Sequence, residues 1–336
     1  MAHKFTIFVN FLSRFRGAFL AAASIPFALI ILWLAPGAQH TVPGWQSYCA
    51  SPPAQRVWPA ASRGELSVER IPIAGDHSHS MFLIATEDGE MRARDLVAGA
   101  QWALTDDKLY PAPAVECPRF AAYGWEFRLK SNAVLACRYM ACVRVAIQPR
   151  TWVYTYAAAN GSVVALTNYG DALLFRDGAW CRMEPDPTDA FRCSRGAAMV
   201  TEPRGKQFYS SIVFQGTTYV GSWPSGRLYT FDGYTLAPAW SQPPFVSQEK
   251  PGFEAQSMAE YCGDLYVGYW PTGEIWMRDG NTRAWSLAAS LFDEPKGTET
   301  FIAYADRPHP TRSPAFYGRR VTALVPHGDS LYASTS

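Results

Sequence analysis

Two sets of residues in this chain have types and spacing suited to chemistry. The first gathers phenols, carboxyls and guanidinium groups: Tyr209, Glu254, Glu260, Tyr261 and the pair Arg319-Arg320. They lie within or just before strand-forming runs. Two carboxyls converging there would serve as general acid and base for glycoside cleavage; the alternative is solvated loop charge, and no residue is singled out as catalytic. The second set is a turn that occurs twice, Trp223-Pro224-Ser225-Gly226 and Trp270-Pro271-Thr272-Gly273. Exposed indoles on adjacent loops stack on sugar rings or cover a partner's apolar groups. The alternative is that each indole folds back as packing. With Tyr169 and Tyr269, Trp223 and Trp270 form the candidate ligand-binding set.

Other chemistries find no footing. The chain has no Gly-x-Ser-x-Gly elbow, His-Glu-x-x-His helix, phosphate-binding loop or dinucleotide fingerprint. Asp76-His77-Ser78-His79 would place two imidazoles on one strand face, but reads more simply as a polar turn, so neither metal nor cofactor is expected. His309 and His327 have no acid or cysteine pattern around them. The net charge of +1 comes without a basic block, which removes the electrostatic footprint of nucleic-acid binding.

The elements that must position these residues are repeats. Gly216-Thr-Thr-Tyr-Val-Gly-Ser-Trp-Pro-Ser-Gly-Arg-Leu-Tyr-Thr-Phe-Asp232-Gly233 returns as Gly263-Asp-Leu-Tyr-Val-Gly-Tyr-Trp-Pro-Thr-Gly-Glu-Ile-Trp-Met-Arg-Asp279-Gly280, and more faintly from Gly161 to Asp177-Gly178. The Gly-to-Asp spacing is the same in all three. Thr-Tyr-Val-Gly and Leu-Tyr-Val-Gly suit buried strands. Pro-Ser-Gly and Pro-Thr-Gly break them, and Asp-Gly predicts a type I′ hairpin turn. A tryptophan follows each copy: Trp180, Trp240 and Trp285. Short strands before two copies, Ser211–Phe214 and Ser257–Tyr261, make four strands per unit.

Four-stranded units in tandem predict an all-β chain folded as a β-propeller. A β-sandwich needs no repeated phrase, and a β-helix has shorter rungs. Anchors at Ala85, Ala136, Leu166, Gly221, Gly268 and Ala333 favour six blades, with five or seven as alternatives. The interval from Ala136 to Leu166 is short for one blade, so that blade is degenerate or the anchor misplaced. A strand from Val57–Ile73 is expected to complete the blade begun at Val321.

Residues 1–16 carry Lys4, Arg14 and Arg16, and 17–38 are uncharged and mostly apolar. That pattern predicts a cytoplasmic basic N-terminus and a transmembrane signal-anchor. Cleavage near Ala38, giving a secreted protein, is the alternative. Residues 39–62, with Pro43, Pro52, Pro53 and Pro59, read as a stalk, and 63–336 as the propeller. Seven cysteines fit an exported protein. Cys181 with Cys193, and Cys137 with Cys142, are the candidate disulfides; Cys49, Cys117 and Cys262 leave an odd count. Asn160-Gly161-Ser162 is a glycosylation sequon.

The phrase ending Asp279-Gly280 with Trp285 resembles repeats of exported Kelch-like propellers. It is also similar to the Asp-box of sialidase-like propellers, departing from it in the adjacent Asp and Gly and in Met277 where a hydroxyl residue is usual. The resemblance covers residues 157–285 and implies a structural hairpin, with no catalytic residue attached. Together these readings point to a membrane-anchored, extracytoplasmic binding or interaction module for carbohydrate or a surface protein. The rivals are a glycosidase or polysaccharide lyase using the central channel face, and a structural subunit of a membrane complex docking through a Gly17, Ala21, Ser24 helix face.

Overall fold

Four hairpins share one turn chemistry. Tyr123-Gly124, Asn160-Gly161, Gln215-Gly216 and Cys262-Gly263 each have both residues at positive φ, from 46° to 52° at the first position and 75° to 82° at the second. This is the type I′ geometry whose twist matches that of the flanking strands. The opening glycine of the repeated phrase is therefore the second residue of the first turn in its sheet.

The computed structural model describes residues 81–85, 91–95, 101–105, 108–112, 120–130, 132–149, 151–194, 196–201, 205–244, 246, 253–291, 320–327 and 330–335. The chain parts into two compact units, 1–38 and 39–336, and all described residues belong to the second. The expected basic terminus, signal-anchor, stalk, Val57–Ile73 strand, Asp76–His79 group, Cys49, Cys117 and Arg319 lie outside the described residues. Among the described residues there is no helix, hence none long and apolar enough to cross a membrane.

The strands form up-and-down antiparallel sheets. β1 (Met81–Ala85), β2 (Met91–Asp95), β3 (Gln101–Thr105) and β4 (Lys108–Ala112) pair in order, as do β5 (Phe120–Ala122), β6 (Trp125–Lys130), β7 (Ala133–Arg138) and β8 (Ala141–Ala146). Next come β9 (Val153–Ala159), β10 (Ser162–Thr167), β11 (Ala172–Arg176) and β12 (Ala179–Pro185). Then follow β13 (Phe191–Cys193), β14 (Gln207–Phe214), β15 (Thr217–Trp223), β16 (Leu228–Phe231) and β17 (Leu236–Pro238). β13 pairs with both β12 and β17, stitching these two sheets along their outer edges. β18 (Glu254–Tyr261), β19 (Asp264–Trp270), β20 (Glu274–Arg278) and β21 (Trp285–Ser290) form another four-stranded sheet, and β22 (Val321–His327) with β23 (Ser330–Thr335) a hairpin.

The core lies between sheets. One apolar cluster joins Phe127 and Val134 to Tyr156 and Phe175, and the next joins Val164 and Leu174 to Phe208 and Tyr229. A third joins Phe214 and Leu228 to Met258 and Val267, and a fourth Tyr266 and Ile275 to Val321 and Leu324. A fifth sets Met91 of β2 against Ala323 and Val325 of β22, so the succession turns back on its start. Successive antiparallel meanders packed face to face, with the first strands β9, β14, β18 and β22 each lying against the next and β22 against β1, have the build of a β-propeller.

Two anchors shift: Ala85 lies on the first strand of its sheet and Ala136 on the third, whereas Leu166, Gly221, Gly268 and Ala333 lie on second strands. The short interval at Ala136 came from comparing unlike strands. The Asp-Gly turns also divide. Asp177-Gly178 is a two-residue turn with both φ positive. Asp232 and Asp279 instead turn the chain with the carboxylate: Asp232 Oδ1 accepts from the backbone N–H of Tyr234 and Thr235, and Asp279 Oδ1 from Asn281 and Thr282. Asp readily makes such side-chain turns, which do not require φ > 0.

Cys137 and Cys142 face each other across β7 and β8 and are disulfide-bonded, as are Cys181 and Cys193 on β12 and β13. Cys262 is unpaired. Alkylating the unfolded, unreduced protein is expected to modify Cys262 and spare those four, as read by peptide mass; labelling of the four without reductant would refute the bridges.

Candidate functional site

Four successive inner strands carry a β-bulge near their N-terminal ends. On β9, Thr155 faces Leu166 and Val153 faces Thr167, leaving Tyr154 as the extra residue. On β14 the pairs Phe208–Ser222 and Ser210–Gly221 leave Tyr209. On β18, Ala255–Tyr269 and Ser257–Gly268 leave Gln256, and on β22, Val321–Thr335 and Ala323–Ser334 leave Thr322. A bulge bends its strand and re-aims a side chain, and bulges concentrate next to active sites. These are held in step by hydroxyls one residue on. Ser210 Oγ donates to Ala255 O at 3.0 Å, Ser257 Oγ to Val321 O at 2.7 Å, and Thr155 Oγ1 shares a 2.8 Å hydrogen bond with Ser211 Oγ.

Close approach between sheets goes with this bonding. A Cβ on Gly221 would lie 2.3 Å from Ala255 O, and one on Gly268 2.6 Å from Val321 Cβ. The glycine of the repeated Tyr-Val-Gly run is what lets each inner strand lie against the next sheet.

The bulged segment gathers aromatic and ionisable groups. The Tyr154 and Tyr209 rings stack across two sheets, centroids 4.6 Å apart and planes at 21°. The Tyr209 hydroxyl donates to Gln207 Oε1 at 2.7 Å. Burial, and then the Glu254 charge, push the Tyr209 phenol above its ordinary pKa. Glu254 opens β18 and is 1% exposed. Its Oε2 lies 3.8 Å from Arg320 Nη2, and the Arg320 guanidinium sits 5.0 Å from the Trp270 ring centre. Burial pushes the Glu254 carboxyl up to about 7, against the opposing pull of Arg320. Glu254 Oε1 and both amide atoms of Gln256, which is 0% exposed, make no hydrogen bond. Such atoms are rare in folded proteins, and each calls for an explanation. Removing the cation in Arg320→Gln is expected to raise the Glu254 pKa further, read by carboxyl ¹³C titration; a downward shift would refute the pairing.

Of the residues picked out by sequence, Tyr209, Glu254 and Arg320 come together. Glu260 and Tyr261 do not: they end β18, roughly 20 Å along the strand from Glu254 at about 3.3 Å per residue. Burial raises the Glu260 pKa, and Tyr261 packs edge-on against Tyr266. Trp223 and Trp270 close β15 and β19, opposite Gln207 and Glu254. Both are followed by cis prolines. Trp223 is half-buried, whereas Trp270 is 3% exposed, its ring covered by Arg320. The first of these turns docks on the neighbouring sheet. Phe253 N donates to Pro224 O at 2.8 Å, and a Cβ on Gly226 would meet Phe253 Cβ at 2.8 Å. Tyr269 is fully buried, which raises its phenol pKa, and Tyr169 is half-buried in the turn after β10. Among the described residues no three His, Cys, Asp or Glu side chains gather as a metal site would need.

Tyr154, Gln207 and Gln256 were missed from sequence. For Tyr154 and Gln256 the signal is the triplet apolar-x-hydroxyl near the start of three inner strands, Val153-Tyr154-Thr155, Phe208-Tyr209-Ser210 and Ala255-Gln256-Ser257; Gln207 carries no such mark.

The class that fold and site define is a β-propeller with a bulged, polar inner-strand end. No family model matches the chain, and no curated protein matches it. Among solved structures it is similar to virginiamycin B lyase from Staphylococcus aureus, at 9% identity over 65% of this chain and 87% of that one, TM-score 0.34. It is also similar to the Cps50 (Swd1) propeller domain of Myceliophthora thermophila, at 10% identity over 64% and 88%, TM-score 0.28. A third is the fission yeast SREBP–SCAP binding-domain complex, at 10% over 72% and 65%, TM-score 0.27. Likenesses this distant carry no activity across.

Proposed function

We propose that the chain is a membrane-tethered, extracytoplasmic β-propeller of six blades that binds carbohydrate or a surface protein at its bulged inner-strand end. One observation carries the binding reading. Four neighbouring inner strands are bulged at the same level, and there they gather an aromatic stack, a buried carboxyl, a carboxamide and a guanidinium. Such convergence of a few polar groups in an apolar surround is the usual make-up of a ligand site. Two disulfides support an oxidising compartment, and the apolar stretch at 17–38 supports the tether. The cluster joining β22 to β2 supports ring closure at six blades. The carboxylate-capped turns at Asp232 and Asp279 support kinship with Asp-box hairpins.

A second reading has its own support. A carboxyl at about 7 is poised for general acid–base work near neutrality, so a glycosidase or lyase stays in view.

Full-length protein in detergent would be tested against the envelope of the producing cell, native, periodate-oxidised or protease-digested. Capture abolished by periodate is expected for carbohydrate, and capture abolished by protease for a surface protein. No capture of the native envelope would sink the binding reading. Release of new reducing or unsaturated sugar ends would move the assignment to the enzyme.

A further inference from the structure

The binding reading can be taken to a ligand class, which stands on that reading. We infer that the inner-strand site takes a glycosyl residue through two neighbouring hydroxyls, held by the Gln256 carboxamide and Glu254 Oε1, with the sugar ring beside the Tyr154–Tyr209 stack. The unpaired atoms set the requirement. Gln256 offers a donor at Nε2 and an acceptor at Oε1, both fully buried and unbonded. Glu254 Oε1 is likewise buried and unbonded, and accepts or donates according to its protonation. A partner serving both residues must therefore donate and accept, and serve the carboxyl in either state. Adjacent hydroxyls do this; a group that only donates or only accepts does not.

Charge narrows the choice. A cation would meet Arg320, whose guanidinium lies 3.8 Å from Glu254 Oε2, and an anion would meet Glu254 itself. A neutral ligand escapes both and carries the smallest desolvation cost into so enclosed a site. The stacked phenol rings add apolar surface, which suits the C–H face of a pyranose. Arg320 is the cover: its side chain is a quarter exposed, lies across Trp270 and meets Glu254 beyond hydrogen-bond length. In this proposal the ligand enters where Arg320 now lies.

The test is ligand-observed NMR on the full-length chain in detergent, with methyl glycosides of glucose, galactose, mannose and N-acetylglucosamine as probes. Wild type is compared with Gln256→Leu and with Trp240→Ala, which removes a wholly exposed indole elsewhere. At least one glycoside is expected to bind, to weaken about tenfold or more in Gln256→Leu, and to be unchanged in Trp240→Ala. Gln256→Leu is expected to fold with an unchanged or raised Tm, because an unbonded buried amide is replaced by an apolar group of similar size. Should it fail to fold, loss of binding in Tyr154→Ala decides instead. Glycoside binding that survives Gln256→Leu, or disappears in Trp240→Ala, overturns the site. No glycoside binding, with envelope capture intact, overturns the ligand class alone. Loss of both removes the binding reading as well.

Discussion

Gly221→Ala is expected to destabilise the propeller by about 3–5 kcal/mol, at or beyond the upper end of ordinary overpacking. The new methyl would lie 2.3 Å from Ala255 O, 2.6 Å from Ser210 Oγ and 2.9 Å from Ala255 Cβ. Two of those three atoms belong to the next inner strand, and the third is the hydroxyl that bonds it. Relief requires the two sheets to part, which opens the cluster holding Phe214, Leu228 and Met258. Gly268→Ala should behave alike against Val321. Two other glycines serve as controls. Gly205 has open space around it and no positive φ, so Gly205→Ala should change stability by less than about 0.5 kcal/mol. Gly216 also has open space but sits at φ +75°, and Gly216→Ala should cost about 1–2 kcal/mol from backbone strain alone. Denaturant unfolding of the four variants ranks them. Gly221→Ala as stable as Gly205→Ala would mean that the sheets are not packed this closely.

That ranking shows what was legible in the sequence. The repeated phrase revealed four-stranded units because each strand and turn leaves a local trace: β-branched runs, Pro-x-Gly breaks and Asp-Gly ends. The glycine of Tyr-Val-Gly was visible as a repeated letter, but its reason lies in the neighbouring sheet. The fainter copy has Leu166 at that place, so the letter alone could not say whether turn or contact required it. The Trp-Pro turns read as a pair, but Trp270 is buried with Arg320, fifty residues on, lying against its ring, whereas Trp223 is half-buried.

The site was half legible for a related reason. Tyr209, Glu254 and Arg320 stood out as chemical types near the starts of inner strands. Glu260 and Tyr261 stood out equally, though they end the same strand far away. Period-two alternation cannot separate them, because it gives a side chain's face and not its height along the strand. A bulge is a mismatch between two strands, so Tyr154 and Gln256 carry no mark as single residues. Only the hydroxyl one position later, repeated in three strands, betrays them.

Glu254→Gln is expected to make the protein more stable at pH 8 and no more stable at pH 4. The folded carboxyl titrates at about 7 against an ordinary 4.5. Below 4.5 both folded and unfolded chains hold the proton, and burial exacts no charge penalty. Between 4.5 and 7 the unfolded chain releases a proton that the folded chain keeps, so stability falls by about 1.4 kcal/mol per pH unit. Above 7 the loss levels off at about 3 kcal/mol, a net figure that already includes the offset from Arg320. Tyr209, on the neighbouring strand, has its phenol pushed up by burial, stays neutral across this range and does not alter the sign. Glutamine keeps the shape without the charge, so the variant's stability should lose this slope, with Tm at pH 8 higher by roughly 5 °C. Parallel wild-type and variant curves from pH 4 to 8 would show that Glu254 is not the buried titrating group. A position where glutamine gives the more stable protein, yet where an ionisable oxygen stands buried and unbonded, is the pattern of a group kept for its chemistry. A Glu254→Gln protein that is more stable and binds its ligand less well would place the function on that oxygen; one that binds equally well would leave the task to Gln256 and the tyrosine stack.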